Sequence, residues 1–162
     1  MPKLDREIKI TPSILDRLLD FEPKLSQESP KTRLRSLREF KQSVKRDLEW
    51  LLNSRCHLEE DIKNTSQELY KSVLAYGLPD FTGVGIRSNV EQARLTKAVE
   101  EAIKTYEPRL SNLKVTLEPF SDVDKTIKFR IEAQLNVEPA PEPVVFDTVL
   151  QLGTGSFEVK EV

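Results

Sequence analysis

The sequence has a single cysteine, Cys56, so no internal disulfide can form. A lone thiol fits a reducing compartment. Its neighbour is His57, but one Cys-His pair supplies too few ligands for a zinc site. Adjacent side chains rarely face each other as nucleophile and base, and no orienting group stands nearby, so no catalytic residue is assigned here. Glycine is scarce, at five residues. The stretch Leu78-Pro79-Asp80-Phe81-Thr82-Gly83-Val84-Gly85 lacks the further glycines and the lysine-serine ending of a phosphate-cradling loop. It reads as a turn-rich loop with Leu78 and Phe81 tucked into the core. Long apolar runs are missing too. Nothing approaches membrane-spanning length, and Met1 to Arg6 lacks the apolar run of a signal peptide. The expectation is a cytoplasmic chain with no membrane insertion. The net charge of -2 gives no global attraction to nucleic acid or to an anionic membrane.

With 162 residues, 32% charged and 38% apolar, the chain is long enough for one core without metal or disulfide staples. Residues 1–30 read as an N-terminal segment with one short helix and a linker, and 31–162 as a single domain. Thr11-Pro12 predicts a cap followed by a first-turn proline. A helix follows with Ile14, Leu15, Leu18 and Leu19 on one side, ended by Phe21-Glu22-Pro23. Ser29-Pro30 repeats the cap-then-proline logic. It opens a helix over about 31–53 whose apolar stripe is Leu34, Leu37, Phe40, Val44, Leu48, Leu51 and Leu52. Burying such side chains contributes about 1.5–3 kcal/mol each before entropy is subtracted, so this helix should cross the main core.

The first half of that helix is basic. Between Lys31 and Arg46 stand Lys31, Arg33, Arg35, Arg38, Lys41, Lys45 and Arg46 against Glu39, a local charge of +6. A solvated face, a docking face for an acidic protein surface and a nucleic-acid face all remain open. The one aromatic among them, Phe40, belongs to the apolar stripe, so no stacking aromatics interleave the bases as single-strand binders require.

Thr65-Ser66-Gln67-Glu68 fits a capping box and predicts a third helix with Leu69, Tyr70, Val73 and Leu74 on its apolar face and Gly77 at its end. Ser88-Asn89-Val90-Glu91 opens a fourth, over about 89–105, with Val90, Leu95, Ala98, Val99, Ala102 and Ile103 pointing mainly one way. Then the period changes. Leu113, Val115 and Leu117 alternate with polar residues, as do Ile127, Phe129, Ile131, Ala133, Leu135 and Val137. Strict alternation means one buried and one wet face, as in an antiparallel sheet. Prolines 139, 141 and 143 form a stiff connection to a strand over 144–152, and Phe157 and Val159 mark a fourth after the Gly153-Thr154-Gly155 turn. Helices first and strands after make an α+β fold, with N-terminal helices packed on a C-terminal antiparallel sheet of three to four strands.

Tyr106-Glu107-Pro108-Arg109-Leu110 marks the switch from helix to strand. Pro108 pushes Glu107 out of helical geometry, and Arg109 offers a planar fork to carboxylates or carbonyls. The helix running into E-P-R-L resembles the core motif of the TssE family, the baseplate wedge subunits of type VI secretion systems. That family is similar to the wedge subunit, labelled lysozyme-like, of contractile-tailed phages. Val44–Arg55 and Val73–Gly83 are similar to further family segments, and the resemblance runs from about Ile14 to the end.

The resemblance implies a non-enzymatic structural subunit without cofactor or metal. Its implied partners are the wedge subunits TssF, TssG and TssK and the sheath subunits TssB and TssC, the sheath being reached by shared strands. It also implies protein contact at Glu107, Pro108 and Arg109. The residues themselves leave two roles open there: an internal clamp at the joint, or contact with a neighbouring subunit. Under the second, Arg109→Ala weakens assembly and leaves the isolated fold largely intact. The 144–160 strands are the candidate open edge, since Lys160 is their only lysine.

A glycoside hydrolase needs two carboxyls at a set separation, one of them holding its proton. Glu107 is the only acid placed suggestively, and a neighbouring cation favours its charged form, the wrong direction for a general acid. A generic cytoplasmic adaptor is the remaining alternative if the resemblance fails.

Overall fold

The longest helix follows from its stripe. The computed structural model describes residues 10, 13–19, 33–56, 66–81, 88–118 and 126–161. The long helix, α2, spans Arg33–Asn53, with Phe40, Val44, Leu48, Leu51 and Leu52 buried along one side. The side chain of Leu34 and the Ser29-Pro30 cap lie outside the described residues.

Before it, α1 (Ile14–Leu18) is shorter than its sequence predicts. Its cap is Ser13 rather than Thr11, because Ser13 has Asp16 three residues on to reciprocate. The Ser13 hydroxyl accepts from the Asp16 N–H at 3.1 Å, and the Ser13 N–H donates to the Asp16 carboxylate at 3.2 Å. Thr11 has Ile14 at the equivalent place, which cannot return a hydrogen bond. The helix ends by Leu19, ahead of Phe21 to Pro23, which lie outside the described residues.

The third predicted helix is broken. One turn, α3 (Gln67–Tyr70), is followed by a 3-10 turn at Val73–Ala75. Ser72 causes the break: its hydroxyl donates to the Leu69 carbonyl at 2.7 Å and its backbone is extended, at φ -82 and ψ 165. A serine that satisfies a carbonyl this way competes with the helix ladder. The new direction turns Val73 and Leu74 outward, 88% and 66% exposed, instead of onto the predicted apolar face. Gly77 closes the segment with φ +108, and Leu78 is fully buried.

Ser88 caps the fourth helix, α4 (Asn89–Tyr106), accepting from the Val90 N–H at 3.3 Å. Leu95, Val99, Ala102 and Ile103 are buried. Val90 is exposed, contrary to its predicted place on that face. Five residues before Leu95 it lies about 140° round the helix.

The sheet is an antiparallel meander, β1 (Leu110–Leu117), β2 (Thr126–Leu135), β3 (Glu142–Gln151) and β4 (Ser156–Glu161), in the order β1-β2-β3-β4. Ile127, Phe129, Ile131, Ala133 and Leu135 bury one face, together with Val144, Phe146, Leu150, Phe157 and Val159. Val137 is buried just beyond the end of β2. The helices cover that face, α2 against β4 and α4 against β1. The fold is therefore α+β, with four strands and, among the described residues, four α-helices.

Two sheet expectations change. β3 starts at Glu142, so Pro143 lies inside it, opposite Gln134. Pairing with β4 reaches only to Phe146, so a proline at 143 costs no β3–β4 hydrogen bond. β3 is also an inner strand along most of its length, so of the predicted 144–160 edge only β4 is an edge strand.

Candidate functional site

The corner between α4 and β1 forms as its residues require. The Glu107 N–H donates to the Ile103 carbonyl at 2.9 Å and ends the helix. Glu107 then leaves helical geometry, at φ -122 and ψ 72, a partly extended backbone. Pro108 is exposed, whereas the Glu107 side chain turns inward and the residue is 4% exposed. Arg109 follows it in. Its Nε donates to Glu107 Oε1 at 2.6 Å and its Nη2 to Glu107 Oε2 at 2.5 Å, the fork-to-fork geometry that makes such pairs strong.

The same guanidinium reaches α2. Nη2 donates to Asp47 Oδ2 at 2.7 Å and Nη1 to Ser43 Oγ at 3.2 Å, while its carbon lies 5.8 Å from the Phe40 ring centre. Arg46 extends the chain of charges. Its Nε and Nη2 donate to Asp47 Oδ1 at 3.0 and 2.9 Å, and Nη2 also reaches Asp16 Oδ1 at 2.9 Å. The Ser43 hydroxyl donates to Asp16 Oδ2 at 2.6 Å. Carboxylates and guanidinia thus alternate from α1 across α2 to the corner: Asp16, Arg46, Asp47, Arg109, Glu107.

Electrostatics follow from this alternation. Burial alone eases the proton off Arg109, but Glu107 and then Asp47 outweigh it and hold the guanidinium above its already high range. Burial raises the Tyr76 phenol, and the Asp47 and Glu107 charges add to it. At Asp16 burial pulls upward, yet the hydrogen bonds from Ser13, Ser43 and Arg46 win and lower the carboxyl from 3.8 to about 2. A depressed carboxyl contributes stability above its unfolded pKa of about 3.9 and loses it as pH falls. Acidification from about pH 4 to the folded value of about 2 is therefore expected to detach α1 from α2. Amide exchange over residues 14–18 should rise across that window; protection unchanged at its lower end contradicts the contact.

Sequence reasoning singled out Glu107, Pro108 and Arg109. It missed Ser43, Asp47 and Asp16 and counted Arg46 among the basic residues of α2. A signal was present: Ser43, Arg46, Asp47 and Trp50 recur at steps of three and four, so they share one helix face. Trp50 stays 52% exposed with the Arg46 guanidinium 5.1 Å from its ring centre. Of the remaining basic residues, Lys41 pairs with Glu161 at 3.5 Å and Arg38 is exposed.

The arrangement offers little to catalysis. Asp47 is the second carboxylate the sequence did not reveal, but Arg109 stands between it and Glu107 and pairs with both. A pocket of about 420 Å³ lies between α4 and the 66–81 segment, with Tyr70, Phe81, Lys97, Glu101 and Tyr106 among its walls; Glu107 is not among its lining residues. No group of His, Cys, Asp and Glu among the described residues could hold a metal. Cys56 is buried, its N–H donating to the Leu78 carbonyl at 2.9 Å, and His57 lies outside the described residues. No helix among those residues is long and apolar enough to cross a membrane.

Among solved structures, one described as the baseplate complex from the type VI secretion system is similar at 15% identity and a TM-score of 0.49, covering 78% of this chain and 97% of that chain. That is a distant likeness, and the family assignment does not rest on it. No curated protein matches. The family model described as baseplate wedge protein gp25 matches residues 38–140, which include most of α2, all of α4, the E-P-R corner, β1 and β2. That span bears out the wedge-subunit resemblance read from Val44–Arg55, Val73–Gly83 and the corner, and the chain belongs to the baseplate wedge protein gp25 family.

Proposed function

We propose that this chain is a non-enzymatic structural subunit of a type VI secretion baseplate, working in the cytoplasm. The wedge-family match over residues 38–140 carries the reading, and the resemblance to TssE supports the secretion system over a phage tail. In this reading the TssF, TssG and TssK subunits are its wedge partners. Glu107 and Arg109 set the direction of the corner from inside, and exposed Pro108, with the rim of Arg109, presents it to a neighbour. The Asp47–Arg109–Glu107 closure supports architecture over hydrolysis, because both carboxylates are engaged by one guanidinium and face a neighbouring element rather than an open cleft.

The C-terminal edge is the proposed link to the sheath subunits TssB and TssC, by strand addition to β4. Edge strands present unpaired backbone groups that template another chain's strand. Proline at the exposed Glu161, near the end of β4, removes one such donor without touching the core. The Glu161→Pro chain is expected to stay folded, to keep its wedge partners and to lose capture of co-expressed sheath subunits. Undiminished sheath capture contradicts strand addition at β4.

A further inference from the structure

An edge strand with a single lysine needs some other protection from unwanted pairing. The protection comes from α2. Its last residue, Asn53, places its side-chain amide beside β4. The Phe157 N–H donates to Asn53 Oδ1 at 2.9 Å, and Asn53 Nδ2 donates to the Phe157 carbonyl at 2.9 Å. A third bond, from Nδ2 to the Glu49 carbonyl at 2.8 Å, anchors the amide to its own helix. One side chain thus makes the donor-and-acceptor pair that a neighbouring strand would make. Phe157 sits opposite Leu150 in the β3–β4 ladder, and its backbone groups are turned the other way, toward Asn53. Alternation then turns the backbone groups of Val159 and Glu161 outward as well.

The surroundings repeat the pattern. The Arg55 guanidinium donates to the Gly155 carbonyl just before β4, and Lys41 pairs with Glu161 at its far end. Helix α2 therefore runs along the strand with a contact at each end, and only the one at Phe157 copies a strand.

We propose that Asn53 is a place-holder for an incoming β-strand: it closes the β4 edge at Phe157 in the free subunit and is displaced when an extended partner segment pairs with Phe157, Val159 and Glu161. The proposal rests on the strand-addition reading for its natural partner, but the guard itself is a property of this chain. An arriving strand takes the outward groups of Val159 and Glu161 first. It completes its register at Phe157 by replacing two hydrogen bonds with two of the same kind, so the exchange is nearly balanced and can be reversed. The closed edge also keeps free copies from pairing with each other.

The test uses the full chain carrying Asn53→Ala, a helix-favouring change at an exposed position. Amide exchange at Phe157 is expected to speed up by about fivefold, the loss of one ordinary hydrogen bond. A concentration-dependent dimer should appear in sedimentation and disappear when Glu161→Pro is added. Asn53→Asp, which keeps an acceptor for the Phe157 N–H, should fall between. Unchanged exchange at Phe157 overturns the guard, and so does faster exchange with the variant still monomeric at every concentration. Co-expression with sheath subunits separates the two ideas. Dimerisation of Asn53→Ala with no sheath capture by either chain leaves the guard standing and removes strand addition to the sheath. Stronger sheath capture by the variant supports both.

Discussion

Replacing Arg109 with alanine is expected to destabilise the isolated chain by about 3–5 kcal/mol, the usual cost of stranding a buried charge. The residue leaves behind a Glu107 side chain only 5% exposed and an Asp47 carboxylate at 22%. Water reaches the first poorly, and Arg46 still serves the second through two hydrogen bonds. The loss therefore falls mainly on Glu107. Arg109→Lys keeps the charge but cannot make the paired bonds to Oε1 and Oε2 while also reaching Asp47, so it should fall between wild type and alanine. Urea unfolding checks the series: the midpoint should drop sharply for alanine, with the slope unchanged. This departs from the expectation, drawn from the contact reading alone, that the fold tolerates the change. An alanine variant as stable as wild type would mean that the clamp contributes nothing and that Arg109 serves only a neighbour.

Gly77→Ala is expected to cost about 2–4 kcal/mol, from left-handed strain and a backbone clash together. Gly77 has φ +108, and a Cβ there meets the Ser54 carbonyl oxygen at 2.5 Å and its carbon at 2.7 Å. That carbonyl cannot simply move aside, because it accepts the Leu78 N–H at 2.9 Å, and the Leu78 carbonyl in turn receives the Cys56 N–H at 2.9 Å. The close approach is how the end of α2 is stitched to the segment before α4, through the parallel bridge between Arg55 and Leu78. Gly153→Ala is the control: nothing lies within 4 Å of a Cβ there, so its effect should stay within about 0.5 kcal/mol. Equal melting temperatures for the two variants would contradict the stitch.

Elements with a sustained period were legible from the residues alone. The α2 stripe and the alternation of β2 carried their own evidence, since burial on one face leaves a repeating mark. The proline in E-P-R fixed the end of α4 to within a residue. Short elements were less legible. Ser72 looked like a tolerable helix residue, but its hydroxyl found the Leu69 carbonyl and broke the segment, which put Val73 and Leu74 in solvent. At the candidate site, Glu107 and Arg109 could be read because Pro108 fixes their direction. Asp47 and Asp16 could not, because they reach the corner from other elements, 62 positions before Arg109 in the case of Asp47 and through Arg46 in the case of Asp16. Asn53 is a sharper case. Nothing in its neighbourhood marks a helix-ending amide as the partner of a backbone 104 positions away; only the packing of α2 along β4 makes it one.

The proposed subunit holds other parts through its corner and its β4 edge. Affinity purification of the tagged full-length chain from its native cell, with mass spectrometry of what comes with it, tests that most directly. The account predicts recovery of baseplate wedge subunits together with sheath subunits. Recovery of the chain alone, or only with proteins of no contractile assembly, would contradict it.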